Sequence, residues 1–350
     1  MLKFLRIILS PLTVLYKYVI NIRNYLFDKN IFHQTKADCK VISVGNLTVG
    51  GSGKTPLVIM LSQYFKTQQV NAGVLSRGYG RTSKGYLLVS NEKQIFSNVQ
   101  EAGDEIILVA NECKIPTAVS EKRVEGISKF IADIPKLKVV ILDDAFQHRW
   151  IARDIDILII EQKFLSNVNS TDQRLLPLGS MRESFESIGR ADLVLINRKF
   201  SKKIEIPYRL KKFFEGKNVY HCYYKVSGIF DVKNNKEYSL KEFEGQHSLV
   251  VCGIAKPFSF LRVLEENGIN IKNKMIFADH KSYTIKEIEN IRKEFYNTNS
   301  YSVLTTQKDA VKLMKFSKEL DDIDIFYFKI ELVIENQNDF LNTVKNKVLN

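Results

Sequence analysis

From residue 40 to the end of the chain, short runs of apolar residues alternate with segments that suit helices. The apolar runs are bounded by Gly, Asp, Asn or Ser, which is typical of strands buried on both faces. Strands that alternate with helices predict an α/β fold with a mostly parallel sheet. The predicted strands are residues 41–44, 72–76, 139–142, 155–160, 192–196, 249–252, 274–277 and 302–305, and the predicted helices are residues 56–65, 105–111, 258–267 and 338–348.

The alternation is interrupted in the middle of the chain. A charged stretch without a strand pattern is followed by extended segments and a polar turn, and the alternation then restarts near residue 248. We therefore expect two α/β domains joined by a β-ribbon. The predicted divisions are a large domain at residues 36–217, an extended two-stranded linker at residues 218–245 and a smaller α/β domain at residues 246–350.

Residues 1–32 form a separate N-terminal segment, which is almost entirely apolar up to residue 27. Its polar residues recur every three or four positions, so on a helix they share one narrow stripe. A helix with a broad apolar face and a thin basic stripe is typical of a membrane interface with anionic headgroups. We therefore predict a membrane-associated amphipathic helix. The stripe consists of Lys3, Arg6, Ser10, Thr13, Lys17, Asn21 and Asn24.

Two alternatives for this segment stay open. The helix could bury its apolar face against the protein's own core, or it could span the bilayer at a tilt. A span is disfavoured because the uncharged run at residues 7–16 is about half of the roughly 20 residues that a spanning helix needs. Lys17 would also lie in the middle of the bilayer. Ser10 and Pro11 suggest that the helix begins or bends there, and no signal-peptide cleavage site follows.

Composition adds an anionic partner to this picture. The 350 residues include 52 Lys and Arg against 39 Asp and Glu, a formal charge of +13. Such a charge predicts binding to nucleic acid, a phosphorylated substrate or an anionic membrane surface. The 45% hydrophobic share excludes a mostly disordered chain. Four widely spaced cysteines argue against a disulfide scaffold or a zinc site.

The strongest motif is the glycine-rich segment GNLTVGGSGKTP at residues 45–56, between a predicted strand and a predicted helix. Its glycines allow successive backbone N–H groups to point at phosphate oxygens, next to the positive end of the helix dipole. Lys54 can reach the β- and γ-phosphates, and Thr55 can offer its hydroxyl to Mg²⁺. A glycine-rich turn without a ligand is the alternative. The predicted nucleotide-binding residues are Thr48, Val49, Gly50, Gly51, Ser52, Gly53, Lys54 and Thr55.

The second half of a nucleotide site follows the predicted strand at residues 139–142. Asp143 is the expected Mg²⁺-side carboxylate, directly or through water. Asp144 is a second metal candidate, with a helix N-cap as the alternative, and Gln147 follows on the same loop. A P-loop with a metal carboxylate indicates a nucleotide hydrolase or a kinase.

Two hydrolase subclasses lack a defining residue in this sequence. A GTPase would carry D-x-x-G at the metal strand, where Phe146 occupies the glycine position. Its base-reading N-K-x-D would require Asn and Asp where Gln307 and Ala310 stand. A membrane ATPase of the ParA/MinD type would carry Lys in place of Val49. The ParA/MinD type remains the second hypothesis for function.

Seven segments, in order, resemble the tetraacyldisaccharide 4′-kinase (lipid A 4′-kinase) family. Thr48, in place of the first glycine of a standard P-loop, also resembles that family's variant, and the N-terminal helix is similar. The matching segments are GNLTVGGSGKTP at 45–56, SRGYGR at 76–81, GDE at 103–105, DDAFQHR at 143–149, LPLG at 176–179 with Arg182 and Glu183, ADH at 278–280 and TTQKDAVK at 305–312.

The resemblance implies a reaction and a location. The γ-phosphate of ATP, with Mg²⁺, would pass to the 4′-hydroxyl of an acylated glucosamine disaccharide 1-phosphate to give lipid IVA. Such an enzyme would work on an anionic membrane surface, at the cytoplasmic face of the bacterial inner membrane. Neither nucleic acid nor an obligatory protein partner is expected.

The resemblance also implies roles for residues outside the P-loop. Asp104 would accept the proton of the sugar hydroxyl, with His280 of the second domain paired beside it and Lys54 on the phosphate. Considered alone, Asp104 would be a helix cap and His280 a loop histidine. Closure of the two domains over the linker is a further hypothesis. Four residues are candidates for contacts with substrate or phosphate, although each arginine could be an ordinary surface residue: Arg77, Gln147, Arg149 and Arg182.

Overall fold

The computed structural model describes residues 2–168 and 170–349, with side chains from residue 9 onwards. The helices in these ranges are α1 (Leu2–Asp28), α2 (Lys54–Thr67), α3 (Val99–Ala102), α4 (Asp104–Cys113), α5 (Arg123–Asp133), α6 (Gln162–Ser166), α7 (Tyr208–Lys211), α8 (Pro257–Glu266), α9 (Ile285–Asn297), α10 (Gln307–Leu313) and α11 (Gln337–Leu349).

The strands in the same ranges are β1 (Lys40–Gly45), β2 (Ala72–Ser76), β3 (Leu87–Ser90), β4 (Thr117–Val119), β5 (Val139–Asp143), β6 (Ile155–Glu161), β7 (Leu193–Asn197), β8 (Asn218–Asp231), β9 (Glu237–Tyr238), β10 (His247–Cys252), β11 (Asn270–Ile276), β12 (Ser302–Thr306) and β13 (Ile325–Ile334). They form one continuous sheet in the order β11-β10-β12-β13-β8-β7-β6-β1-β5-β2-β4-β3, with β9 beside β8. Three pairs are antiparallel, namely β8–β13, β8–β9 and β3–β4, and the other pairs are parallel. The predicted α/β class with a mostly parallel sheet is confirmed.

The sheet carries two lobes. We call strands β1–β7 with their helices the large lobe, and strands β10–β12 with α8, α9 and α10 the small lobe. Strand β8 belongs to both, because residues 218–222 pair with β7 and residues 222–231 pair with β13. A single 14-residue strand therefore passes from one lobe to the other.

The ribbon between the lobes differs from the predicted linker. We expected both of its strands within residues 218–245, but the strand that pairs with β8 is β13, about a hundred residues further along the chain. Within residues 218–245, β8 pairs only with the two-residue strand β9. Strand β13 pairs with the edge of β8 opposite to β9. A local hairpin of β8 and β9 alone would have left that edge unpaired.

The last helix also differs from the predicted division. We assigned it to the small domain at 246–350, but Phe340, Val344 and Val348 of α11 are buried in the large-lobe core with Ile42 and Leu57. Strand β13 explains this position, because it leads the chain from the small lobe back to the large one. The small lobe has its own core, to which Leu249, Val303 and Ile288 belong.

Helix α1 lies along the large lobe with its apolar side outward. Leu15 and Tyr18 are 61% and 64% exposed, and Leu12, Val19, Ile22 and Tyr25 are also more than half exposed. In the described residues, no helix is both long enough and apolar enough to cross a bilayer. Pro11 lies inside α1, so the helix does not begin there as Ser10 and Pro11 suggested.

The inward side of α1 carries two residues of the predicted polar stripe, Thr13 and Asn24, and for these two the expectation that the stripe faces headgroups is wrong. The hydroxyl of Thr13 accepts a hydrogen bond from the backbone N–H of Leu178 (3.3 Å). Asn24 donates to Glu183, with which Arg23 forms an ion pair. These polar groups have partners on the large lobe, whereas Ser10, Lys17 and Asn21 are exposed. The side chains of Lys3 and Arg6 lie outside the described residues.

Candidate active site

The glycine-rich loop joins the central strand β1 to helix α2, as predicted. Gly50 and Gly53 both adopt φ of +107°, a conformation that side chains disfavour. A Cβ on Gly53 would lie 2.3 Å from the Asn197 amide nitrogen and 2.6 Å from the Tyr224 hydroxyl. The Asn197 amide also donates to the carbonyl of Ser52 (2.9 Å). The tight curl of the loop is therefore fixed by strands β7 and β8 behind it.

Asp144 lies opposite this loop, next to two cations. Its Oδ1 is 2.7 Å from Arg182 and 3.5 Å from the Lys54 Nζ. Burial works against ionisation, but Lys54 and Arg182 outweigh it and hold the pKa of Asp144 below its ordinary range. Asp144 has φ of +50° and precedes a turn, so the alternative of a helix N-cap is wrong.

Asp143, at the end of β5, is buried, and only one of its two carboxylate oxygens has a hydrogen-bond partner among the described residues. Its Oδ2 accepts a hydrogen bond from the Ser76 hydroxyl (3.1 Å), while its Oδ1 has no partner among the described residues. Burial, followed by the neighbouring carboxylates of Glu105 and Asp144, raises the pKa of Asp143. An orphaned carboxylate oxygen beside a second carboxylate fits a divalent cation.

The donor set favours Mg²⁺ held partly by a nucleotide. No group of three His, Cys, Asp or Glu residues in the described ranges is placed to enclose a metal. Asp143, Asp144 and the hydroxyl of Thr55 are the groups that could hold a Mg²⁺ ion together with phosphate oxygens.

Asp104 and His280 come together across the two lobes. Asp104 is the first residue of α4, His280 follows β11 with φ of +56°, and their Oδ1 and Nδ1 atoms are 3.2 Å apart. The hydrogen bond to Asp104 raises the pKa of His280, against the effect of burial. Burial opposes ionisation of Asp104, but His280 and two lysines outweigh it and hold the pKa of Asp104 well below its usual range.

Those two lysines lie on α10, and the sequence analysis gave them no role. Lys308 Nζ is 3.3 Å from Glu105 Oε1 and 3.3 Å from His280 Nε2. Lys312 Nζ is 3.2 Å from Asp104 Oδ2. A signal was available, because lysines four residues apart lie on one face of a helix.

One cavity of about 630 Å³ between the lobes joins these groups. His280 lines it, and the buried Asp104 contacts the His280 ring from α4. Other lining residues are Val49 to Thr55, Tyr79, Glu105, Asp144, Arg182, Lys256 and Lys308. The predicted loop from Val49 to Thr55, the predicted metal ligand Asp144 and His280 of the predicted Asp–His pair therefore line a single cavity, whereas Thr48 and Asp143 do not line it.

The four predicted substrate residues take different positions. Arg182 contacts Asp144 in the cavity, and Gln147 lies beside it, donating to the carbonyl of Asn46 (2.8 Å). Arg77 is exposed and makes no hydrogen bond or ion pair recorded for the described residues.

Arg149 was predicted to contact substrate or phosphate, and this prediction is wrong. The side chain contacts α1 instead of facing the cavity. Its guanidinium donates to the carbonyl of Asn24 (3.1 Å), pairs with Asp28 (2.7 Å) and stacks over the ring of Phe27. With these three contacts it is nearly buried. Arg149 lies in the same motif as Asp144 and Gln147, but its own partners are on α1.

A strand–loop–helix phosphate cradle with an acidic strand end beside it places the chain among the P-loop nucleotide enzymes. The model of the LpxK family, tetraacyldisaccharide-1-P 4′-kinase, matches residues 5–349. The tetraacyldisaccharide 4′-kinase of Chlorobium phaeobacteroides is 33% identical over 98% of both chains. That of Cytophaga hutchinsonii is 32% identical over 99% of this chain and 97% of its own.

A solved structure agrees with these sequence matches. The crystal structure of "apo" form LpxK from Aquifex aeolicus in complex with ATP superposes with a TM-score of 0.79 at 31% identity, covering 98% of this chain and 99% of that one. The chain belongs to the tetraacyldisaccharide 4′-kinase family, and its activity is the ATP-dependent phosphorylation of the 4′ position of the lipid A precursor. The family predicted from the motifs is confirmed, and the ParA/MinD-type alternative is not favoured.

Proposed function

We propose that the cavity between the lobes is where the γ-phosphate of ATP passes to the 4′-hydroxyl of a tetraacylated glucosamine disaccharide 1-phosphate. The bond between the γ-phosphorus and the oxygen bridging to the β-phosphate breaks, a bond from O4′ forms, and ADP leaves. The observation that carries the proposal is that the phosphate loop of the large lobe and His280 of the small lobe line one cavity, with Asp104 in contact with the His280 ring.

In this proposal, residues 48–55 hold the ATP phosphates with their backbone N–H groups, and Lys54 follows the charge onto the γ-phosphate. Asp143, Asp144 and Thr55 would hold Mg²⁺, which would neutralise phosphate charge when bound. The short contact between Arg182 and Asp144 keeps a second cation beside the phosphoryl group. Gln147 and the exposed Arg77 provide polar contacts for the anionic disaccharide.

Asp104 is the base in this proposal. A sugar hydroxyl is a weak nucleophile, so a carboxylate that takes its proton during bond formation speeds the transfer. The low pKa of Asp104 keeps it ionised at neutral pH, ready to accept that proton. Because His280 and Asp104 come from different lobes, the geometry of the pair depends on how the lobes approach each other.

The outward face of α1 supports a membrane surface as the second partner. An acylated substrate stays in the bilayer, so the enzyme has to work at its surface. A row of exposed apolar side chains, with the exposed Lys17 nearby, suits the interface of an anionic membrane. We therefore propose the cytoplasmic face of the bacterial inner membrane as the location.

Transfer of label tests the reaction. ATP labelled at the γ-phosphate is incubated with acylated disaccharide 1-phosphate in detergent micelles, and the lipid product is analysed for label at the 4′ position. We expect labelled lipid from the wild type and almost none from Lys54→Ala. ATP hydrolysis by the wild type without labelled lipid would contradict the proposal.

Matched tyrosine substitutions test the membrane surface. Tyr18→Glu puts a charge on the outward face of α1, while Tyr208→Glu makes the same change at a 90% exposed tyrosine elsewhere. We expect Tyr18→Glu to weaken binding to anionic vesicles and to raise the KM for the lipid but not for ATP. Equal vesicle binding by the two variants would exclude α1 as the membrane contact.

A further inference from the structure

Lys312 occupies an unusual position between two buried carboxylates. Its Nζ is 3.2 Å from Asp104 Oδ2 in the large lobe and 3.3 Å from Asp309 Oδ1 on its own helix, α10. The side chain is 6% exposed, and the two carboxylates are 5% and 0% exposed. A lysine so buried is retained only where its charge is paired.

Asp309 is held by several hydrogen bonds within the small lobe, and it therefore fixes the position of the Lys312 ammonium group. One of its oxygens accepts hydrogen bonds from the backbone N–H of Gly253 (2.9 Å) and the hydroxyl of Thr306 (2.7 Å). The other accepts from Tyr283 (3.2 Å) as well as from Lys312. The small lobe thus fixes Asp309, and Asp309 fixes the lysine that reaches the large lobe.

Lys308, one turn earlier, is more exposed. It lines the cavity, its side chain is 19% exposed, and it lies 3.7 Å from Asp104 and 3.9 Å from Asp279 in addition to its contacts with Glu105 and His280. Lys308 therefore faces the cavity, whereas Lys312 is buried and is not among the residues that line it.

We propose that Lys312, fixed by Asp309, is a positioning residue that holds Oδ2 of Asp104 and leaves Oδ1 to face His280 and the sugar hydroxyl. This inference rests on the proposed role of Asp104 as the base. A carboxylate oxygen has two lone pairs, so Oδ1 can contact His280 and still accept a proton. Lys312 also ties the geometry of the base to the small lobe, so the base is fully oriented only when the lobes are together.

The pH profile of the reaction reports this role. The charged groups around Asp104 are His280, Lys308 and Lys312 from the small lobe, with Glu105 beside it on α4 and Asp279 beyond Lys308. Asp104 must be ionised to accept a proton, so activity falls when it becomes protonated at low pH. Removal of the Lys312 charge raises the pKa of Asp104, and the acid limb of the profile moves to higher pH.

The experiment compares Lys312→Met, Lys312→Arg and the control Lys318→Met, which removes an exposed lysine shortly after α10. Lipid phosphorylation is measured at saturating Mg²⁺ and ATP from pH 3 to 9, with the Tm of each variant measured at the same pH values, because the pKa of Asp104 lies below its usual range. For Lys312→Met we expect kcat to fall at least about 10-fold, with the KM for ATP unchanged and the acid limb raised by about one pH unit. Lys312→Arg keeps the charge and should restore the acid limb, and Lys318→Met should match the wild type.

Two results would overturn the proposal. One is a normal kcat with an unmoved acid limb in Lys312→Met. The other is a reduced kcat that follows a lower Tm, with the acid limb unmoved, because a purely structural lysine would act in that way. Wild-type activity separates the two hypotheses: if the wild type does not label the lipid, the proposed function fails, whereas labelling with an unaffected Lys312→Met rejects only the role of Lys312.

Discussion

The phosphate loop and the Asp104–His280 pair face the same cavity, but they are held in place by different kinds of structure. The loop lies between β1 and α2, and its supports, Asn197 and Tyr224, are on strands β7 and β8 of the continuous sheet. The pair joins one residue from each lobe and is surrounded by lysines from α10. The loop should therefore be formed in the free protein, whereas the pair depends on how the lobes meet. Substitutions on the two sides should differ accordingly.

The largest effect is expected at the pair. Asp104→Asn removes the base but keeps the shape of the side chain, so kcat should fall by roughly 10²–10⁴-fold while ATP affinity stays similar. The double variant with His280→Ala should be little worse than the worse single variant, because the two residues act as a unit. Losses that multiply would show instead that the residues serve separate steps.

A substitution in the phosphate loop should lower both the affinity for ATP and kcat. Lys54→Ala removes the cation next to the γ-phosphate and the partner of Asp144, so kcat should fall by roughly 10²–10³-fold. Unlike Asp104→Asn, it should also weaken ATP binding in an equilibrium assay without lipid. A variant with normal ATP affinity would mean that the loop is not organised around the nucleotide in the free enzyme.

A pair of glycine substitutions tests whether the sheet fixes the loop. Gly53→Ala would place a methyl group against Asn197 and Tyr224 at positive φ, while Gly189→Ala, outside the cavity, meets nothing within 4 Å. Strain of about 1–3 kcal/mol corresponds to a roughly 5- to 150-fold weaker ATP affinity for Gly53→Ala. Gly189→Ala should be close to the wild type, and a normal ATP affinity for Gly53→Ala would show that the sheet does not fix the loop.

The smallest expected effect is a change in thermal stability with pH, which comes from protonation of His280. The pKa of His280 is raised by Asp104, so the stability from its protonated form is fully present below the unfolded pKa near 6.5 and is lost as pH rises through the folded pKa. The Tm difference between wild type and His280→Ala should thus be larger at pH 5.5 than at pH 9, by about 2 °C. A difference that does not change with pH would indicate a neutral histidine throughout.

The same contrast explains what could be predicted from the sequence. The loop and the aspartates after β5 are each encoded in one contiguous motif, and local patterns located most large-lobe strands to within a residue or two. Strand β13 could not be recognised as half of the ribbon, since its partner β8 is far away in the chain. Nor could α11 be assigned to the large lobe, because its apolar face does not specify which core it joins.

The roles of individual side chains could likewise be predicted only where one contiguous motif contains the interacting residues. Asp104 and His280 were paired only through the family resemblance, because no local pattern joins residues 176 positions apart. Arg149 lies in a motif next to the metal aspartates, yet its partners are on α1. Lys312 has the appearance of a surface lysine in the sequence, and only the packing of α10 on α4 shows that it is buried between carboxylates.

The paired strands β8 and β13 also set the mechanics of any opening of the cavity. The chain leaves the large lobe along β8 and returns along β13, and the two are hydrogen-bonded to each other, so the lobes cannot slide apart without breaking that ladder. The register shifts once, near Lys329 and Ile330 opposite Ser227. An irregularity of this kind bends the strand, increases its local twist and leaves one residue without a ladder partner. Any change in the angle between the lobes should therefore be concentrated near Ser227, where the ladder of β8 and β13 is interrupted.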